Sequence, residues 1–258
     1  MVDFENRLIV ISTGNKKYLS VVTQGQNFIT NEGKIEFDQI KSIPSSVESS
    51  TGVIFSIYAP SYKEFILLMK RGPQIIYPKD VGSIIVSANI NSKSKVLEIG
   101  TGSGALTLFL SSILGHDAKF YSLDVNKKNQ YRAKKTISRY LSNYSTDFIK
   151  DINFINQDLS GFQIDTIPIN FDSIITDVPE PWLFFDSNQI NNDLHWVSYL
   201  PSISQVSRIT DTLEENQFQD IEIKEVIERE WTVRGKISRP KHSMVGHTGF
   251  IVSARNIL

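Results

Sequence analysis

The stretch VLEIGTGSGALTLFL, residues 96–110, constrains the fold more than any other part of the chain. Val96, Leu97 and Ile99 form a short apolar run of the kind buried in a sheet, and apolar residues continue from Ala105 through Leu110 as in a helix. A five-residue turn, Gly100 to Gly104, separates the two. A strand that runs into a helix through so short a turn is the first half of a β-α-β unit, so a parallel sheet is expected. The pattern continues downstream. KFYSLDV reads as a strand and about Lys127 to Tyr144 as a longer helix. INFINQD, FDSIITDV, HWVSYLP, the run from Ile221 to Trp231 and TGFIVSARNI read as further strands. The last two follow each other without a clear helix, which predicts antiparallel pairing at that edge. The expected class is α/β, a doubly wound sheet, whose ligands sit beyond the carboxyl ends of its strands.

Residues 1–62 read differently. RLIVIS, KYLSVVT and GVIFSIYAP are parted by the turn clusters GNKK, TNEGK and PSSVESSTG, which predicts a small β-rich domain. After it, YKEFILLMKRG places Phe65, Ile66, Leu68 and Met69 at helical spacing and stops at Gly72-Pro73. The expected division is 1–62 and 63–258. A chain of 258 residues, 40% hydrophobic, can bury a sizeable core and carry an appended domain. With no cysteine, a disulfide framework, a thiolate nucleophile and a Cys-containing zinc site are excluded, and a cytoplasmic setting is expected. The start, MVDFENRLIVIS, lacks a basic region followed by a long apolar one, and no apolar run approaches the ~20 residues that span a bilayer. A net charge of −1 and a pI near 6.4 give no general electrostatic case for nucleic acid, so such a partner requires a local basic surface.

Glycines in the turn let the backbone bend sharply and let a ligand approach the main chain, while the helix N-terminus supplies unpaired N–H groups. GTGSGA satisfies the loose pattern G-x-G-x-x-G/A, so the turn alone accommodates either a nicotinamide cofactor or S-adenosylmethionine. Glu98 adds the pattern E-x-G-x-G-x-G of Rossmann-like methyltransferases, whose cofactor carries an ammonium and a sulfonium in place of a pyrophosphate. Asp124 ends the next strand and suits a ribose diol under either reading. FDSIITDVPEPW, residues 171–182, poses a further question. Two prolines end the strand, and the acid Asp177 stands at its mouth. Such a carboxylate either caps a turn or faces a ligand in a cleft.

Several stretches together resemble the tRNA (adenine-58-N1)-methyltransferase family: EFILLMKRGPQIIYPKD, LEIGTGSGALTLFL, TDVPEPW, SYLPSISQV and RPKHSMVGHTGFIV. They stand in the family's order between residues 64 and 252. YPKD, D-x-x-x-PW, YLP with a following Q-V, and GHTGF are the specific ones. The resemblance implies a Rossmann-like methyltransferase sheet that moves a methyl group from S-adenosylmethionine to N1 of an adenine in the tRNA T-loop. Matched by motif, Asp177 is the active-site aspartate, and Tyr77 and Tyr199 line the adenine pocket. The cofactor residues are Gln74, Glu98, Gly100, Gly102, Ser103, Gly104, Asp124, Asp158 and Asp177, with Asp158 near the cofactor's adenine. Two departures stand out: Ser202 replaces the usual asparagine after YLP, and the ribose acid is Asp124 where glutamate is common. Intact acids and glycines mark a catalytic chain, and its length resembles the bacterial and archaeal homotetramers. Whether adenine 57 is methylated besides 58 stays open.

Under this reading Asp177 stabilises positive charge arriving in the adenine ring by accepting a hydrogen bond from its amino group, and the same bond selects adenine over guanine. The prolines stiffen the loop, with Trp182 beneath it. Lys128, Arg132, Lys135 and Arg139 recur along one helix, opposite Ala133, Ile137, Tyr140 and Leu141, and read as a solvated face. Arg229 to Lys241, with Arg234, Lys236, Arg239, Trp231 and His242, is the better tRNA surface. The four histidines show no metal spacing, so no metal is expected, and His247 reads as a structural histidine. The competing readings are a methyltransferase with another acceptor, a nicotinamide oxidoreductase and a non-catalytic tRNA-binding subunit.

Overall fold

The computed structural model describes residues 4–14, 16–69, 75–141, 143, 151–190 and 193–257. The chain divides into two compact units, Met1–Gly72 with Lys135–Thr146, and Pro73–Lys134 with Asp147–Leu258.

The first unit holds β1 (Leu8–Thr13), β2 (Lys16–Val21), β3 (Asn27–Thr30), β4 (Gly33–Glu36), β5 (Ser45–Glu48), β6 (Ile54–Tyr58) and α1 (Tyr62–Leu68). Four strands form an antiparallel sheet in the order β2-β1-β6-β5, and β3 and β4 form a separate hairpin. Alternation puts Ile9, Ile11, Phe55 and Ile57 on one buried face, where Ile35 joins them. Ser61 caps α1 by accepting from the Glu64 amide, while the Glu64 carboxylate accepts from the Ser61 amide. The boundary expected at residue 62 thus falls at the start of a helix that belongs to this first unit.

The second unit holds α2 (Pro78–Ser87), β7 (Lys95–Ile99), α3 (Ala105–Ile113), β8 (Lys119–Leu123), the start of α4 (Lys127–Leu141), β9 (Ile152–Ile155), β10 (Ser173–Thr176), β11 (Leu194–Leu200), α5 (Ile203–Glu215), β12 (Gln219–Glu225), β13 (Trp231–Arg234), β14 (Ile237–Pro240) and β15 (Phe250–Asn256). Its seven-stranded sheet runs β9-β8-β7-β10-β11-β15-β12. The first five strands pair in parallel, and β15 pairs antiparallel with both β11 and β12, as the missing helix between the last predicted strands implied. Order reverses between β7 and β10, the switch point at which such sheets bind ligands. One face buries Leu97, Leu123, Ile174, Trp196 and Val252, and the other Val96, Phe120, Ile175, Val197 and Ile251. The alternation follows from a pleat covered on both sides.

Two helices, α2 and α5, stand beyond those expected from the sequence, and each has a local signal. Pro78 stands at the first position of α2. Ser202 caps α5, whose Val206, Ile209 and Leu213 are buried at helical spacing. The strand expected from Ile221 to Trp231 ends at Glu225, and residues 231–240 form an independent hairpin turned by Gly235 at φ +54°. On α4, Lys128, Arg132, Lys135 and Arg139 are exposed, while Ala133, Ile137 and Tyr140 are buried. Gln74 and the end of that helix near Tyr144 lie outside the described residues. No helix of the described residues is long and apolar enough to cross a membrane.

Candidate active site

Strand register assembles the site. Ile99 pairs with Leu123 on one side and Thr176 on the other, and Thr176 pairs with Ser198. The next residue of each strand, Asp124, Gly100, Asp177 and Tyr199, therefore stands at the same carboxyl edge, one strand spacing of about 4.8 Å from the next. The ladder runs one step further: Gly100 donates to the Leu123 carbonyl and Asp177 to the Ile99 carbonyl, both at 2.8 Å. Gly100 thus lies between two acids.

The three glycines have different reasons. A Cβ on Gly100 would sit 2.3 Å from the Asp177 carbonyl oxygen, and the residue has φ +104°. On Gly104 it would sit 2.7 Å from the Ala133 Cβ, so this glycine admits α4. On Gly102 the nearest neighbour is 4.0 Å away, and Gly102 lines the cavity. Its amide donates to Asp124 Oδ2 at 2.9 Å, and Asn126 donates to Oδ1 at 2.6 Å. Each oxygen of Asp124 keeps a further lone pair for a ligand hydroxyl. Ser103 folds back on the turn, its Oγ accepting from the Ala105 amide at 3.3 Å.

Glu98 is fully buried. Its Oε2 accepts from Ser122 at 2.5 Å and Thr107 at 2.7 Å, whereas Oε1 has no hydrogen-bond partner. Burial pushes its carboxyl up to about 8; Ser122 and Thr107 hold the rise back, and the charges of Asp177 and Asp124 add to it. Burial also pushes Asp177 up to about 7, with Asp124 contributing. Part of the Asp177 surface remains open, so water tempers that shift. Among the described hydrogen bonds none ends on the Asp177 carboxylate, so it is not a turn cap. Three acids with no cation paired to them among the described residues form a site matched to a cationic ligand.

A cavity of about 310 Å³ opens over this edge. Gly102, Asp124 and Asn129 line one side, and Asp177, Val178 and Pro179 the next. Tyr199, Pro201, Gln205 and Ile75 complete it. A second cleft of about 150 Å³ shares Asp124, Val178 and Pro179 and reaches Asp158. There Asp158 accepts from the Ser160 amide and hydroxyl, which lower its pKa. Tyr199 is buried to 4% exposure, and its hydroxyl donates to Asp80 at 3.2 Å. Tyr77, expected in the same pocket, is the half-buried residue before α2 and does not line the cavity; Ile75 does. Trp182, expected under Asp177, is a core residue covered by the Arg208 guanidinium 4.1 Å above its ring.

Two polar residues of the cavity wall, Gln205 and Asn129, went unpredicted. Gln205 was visible only as part of YLP-x-x-x-Q-V; its amide donates to the Pro179 carbonyl at 2.8 Å and its oxygen accepts from Ser202 at 2.6 Å, tying the proline loop to α5. Asn129 gave no signal. His247 places its ring nitrogens 3.0 Å from the Pro201 carbonyl and 2.7 Å from Glu225, bonds that raise its pKa in that order. Through Pro201 it contacts the cavity wall.

Residues 57–237 match the family described as tRNA methyltransferase complex GCD14 subunit. The chain belongs to this family of tRNA methyltransferases. The tRNA (adenine(57)-N(1)/adenine(58)-N(1))-methyltransferase TrmI of Methanocaldococcus jannaschii is a relative 32% identical, matched over 98% of this chain and 95% of its own. The crystal structure of the tRNA (m1A58) methyltransferase TrmI of Aquifex aeolicus shares 27% identity and superimposes with a TM-score of 0.78, covering 98% of both chains. A SAM-dependent O-methyltransferase of Thermotoga maritima superimposes at 0.87 with 23% identity over 98% of this chain and 94% of that one, and shows the shared fold. Ser202 is the position at which the resemblance implies asparagine. Both are good helix N-caps, and capping is what Ser202 does here, accepting from the Gln205 amide.

Proposed function

We propose that this chain transfers a methyl group from S-adenosylmethionine to N1 of adenine 58 in the T-loop of tRNA. The observation that carries the reading is the sheet edge on which Gly100 is flanked by Asp124 and Asp177, the second of these a carboxyl that bonds nothing among the described residues. S-adenosylmethionine supplies an electrophilic methyl group on a sulfonium. Asp124 would hold its ribose hydroxyls, Asp158 lies at the cleft suited to its adenine, and Gln74 is assigned to the same pocket. Gly100, Gly102, Ser103 and Gly104 form the turn for its amino-acid end, and Glu98, buried on β7 beneath that turn with its Oε1 unpartnered, is the acid assigned to the ammonium. The fit is chemical: three acids and a bare glycine backbone meet a ligand with two positive centres.

The protein's task is to align the acceptor and exclude water, since the transfer requires no nucleophilic side chain. Asp177 accepts a hydrogen bond from the exocyclic amino group of the target adenine and stabilises the positive charge that enters the ring. Guanine presents a carbonyl at that edge and is repelled. Tyr199 forms a wall of the acceptor pocket, while Tyr77, which stands off that wall before α2, is the second aromatic the reading proposes for the flipped base. Arg229, Arg234, Lys236, Arg239 and Lys241 form the proposed phosphate-binding surface. The active form is taken to be a cytoplasmic homotetramer, which light scattering checks against the 29.2 kDa chain.

Labelled S-adenosylmethionine and unmodified tRNA transcripts test the proposal, with wild type beside Asp177→Ala. The expected product is N1-methyladenosine at position 58, with a rate at least about 100-fold lower in the variant. Position mapping in the same assay decides whether 57 is also a target. Cofactor binding with no methylated adenine would overturn the substrate assignment and favour another acceptor or a non-catalytic subunit.

A further inference from the structure

Asp80 is a fully buried acid that the mechanism above does not use. It lies in the first turn of α2, and its Oδ1 pairs with Lys79 Nζ at 2.8 Å, the lysine side chain being only 6% exposed. The same ammonium donates to the Val226 carbonyl and to Thr248 Oγ1, both at 2.6 Å. Thr248 in turn donates to Asp80 Oδ2 at 2.7 Å, and the Tyr199 phenol donates to the same oxygen at 3.2 Å. All three lysine donors are used and both carboxylate oxygens are engaged. A buried pair of this kind adds little net stability over apolar residues of equal volume, but it fixes direction.

Gly249 supplies a second constraint from the next residue along. A Cβ there would lie 2.5 Å from Tyr199 Cζ and 2.9 Å from its hydroxyl oxygen. Thr248 thus reaches the tyrosine through Asp80, and Gly249 does so by leaving room for the ring. This gives a physical role to YPKD and GHTGF, two stretches separated by more than 160 residues whose chemistry the sequence did not explain.

We propose that Asp80 and Gly249 are positioning residues of the acceptor pocket, fixing the Tyr199 ring in the cavity wall from its hydroxyl and from its face. The proposal rests on the reading of that cavity as the acceptor site. Full-length protein carrying ¹³C-labelled tyrosine rings reports the ring directly, the Tyr199 resonance being the one lost in Tyr199→Phe. Asp80→Asn and Gly249→Ala should each move this resonance. A signal unmoved in both variants overturns the proposal, whatever the substrate.

Kinetics separate positioning from simple bracing of α2. Asp80→Asn and Tyr199→Phe should each lower kcat/KM by about tenfold, borne by the KM for tRNA with the cofactor KM within about twofold, and the double variant should be no slower than the slower single. Effects that multiply, or an equal rise in the cofactor KM, overturn the proposal. Asp80→Asn leaves a buried ammonium without its partner charge and can fail to fold. Gly249→Ala then carries the kinetic test, since its backbone lies outside the left-handed region. Its effect should vanish in a Tyr199→Ala background, where no ring remains to be displaced, and persistence there overturns the proposal. A wild-type chain that methylates no tRNA counts against the proposed function alone, because the resonance is read without turnover.

Discussion

Glu98 and Asp177 hold protons that their unfolded counterparts release. Folding raises Glu98 from 4.5 to about 8 and Asp177 from 3.8 to about 7, so between these values the folded chain binds more protons than the unfolded one. Stability of the ligand-free protein therefore falls as pH rises through that window. Urea midpoints measured from pH 4.5 to 8 should decline, and Glu98→Gln, which keeps the shape but cannot ionise, should flatten the upper part of the curve. Activity has the opposite sign. If ionised Asp177 is the working form, kcat/KM should climb with pH through about 7, and a profile level across that range would remove the aspartate from its proposed role. The glycines differ at the same scale. Gly100→Ala meets a carbonyl at 2.3 Å with φ +104°, whereas Gly102→Ala has φ +51° and open space. The first should destabilise by about 3 kcal/mol or more and the second by about 1–2 kcal/mol, which denaturant titration can resolve.

Helix ends carry the predictions at the next scale. Burial opposes a charge on Glu64, yet hydrogen bonds from Lys17, Ser61 and Tyr58 hold its pKa to about 2. The stabilisation from this capping box is present above pH 4.5 and is lost as pH falls through about 2. Ser61→Ala should destabilise the chain by about 1 kcal/mol in urea unfolding. Ser202→Asn restores the family's usual residue at an equivalent cap and should change stability by less than about 0.5 kcal/mol, with turnover retained. Capping signals of this kind are local: S-x-x-E stands directly before α1, although apolar spacing alone was what predicted that helix. The cap of α5 is equally local, Ser202 standing directly after YLP and ahead of Val206, Ile209 and Leu213 at helical spacing.

For the whole molecule, a net charge of −1 makes any tRNA affinity depend on where the positive charge is gathered. Residues 229–241 gather it on and beside the β13–β14 hairpin, where Lys241 pairs with Glu230 and Arg239 contacts His242. Replacing Arg234, Lys236 and Arg239 together with alanine should weaken tRNA binding and reduce the slope of log affinity against log salt by up to about 3, leaving cofactor binding unchanged. An unaltered slope would move the phosphate surface elsewhere.

The strand–glycine–helix turn, the alternation of strands and helices and the acids at strand ends follow from spacings of a few residues, which is why the α/β sheet and the residues Glu98, Gly100, Asp124 and Asp177 were legible in the sequence. Their geometry was not. That Gly100 must be glycine because the Asp177 carbonyl lies against it, that Tyr199 is tied by its hydroxyl while Tyr77 stands off the cavity wall, and that Gln205 joins the site are matters of register and packing between segments far apart in the chain. Local propensity selects the elements; which side chains share an edge is decided when hydrogen-bond ladders and two buried faces fix every strand in one register.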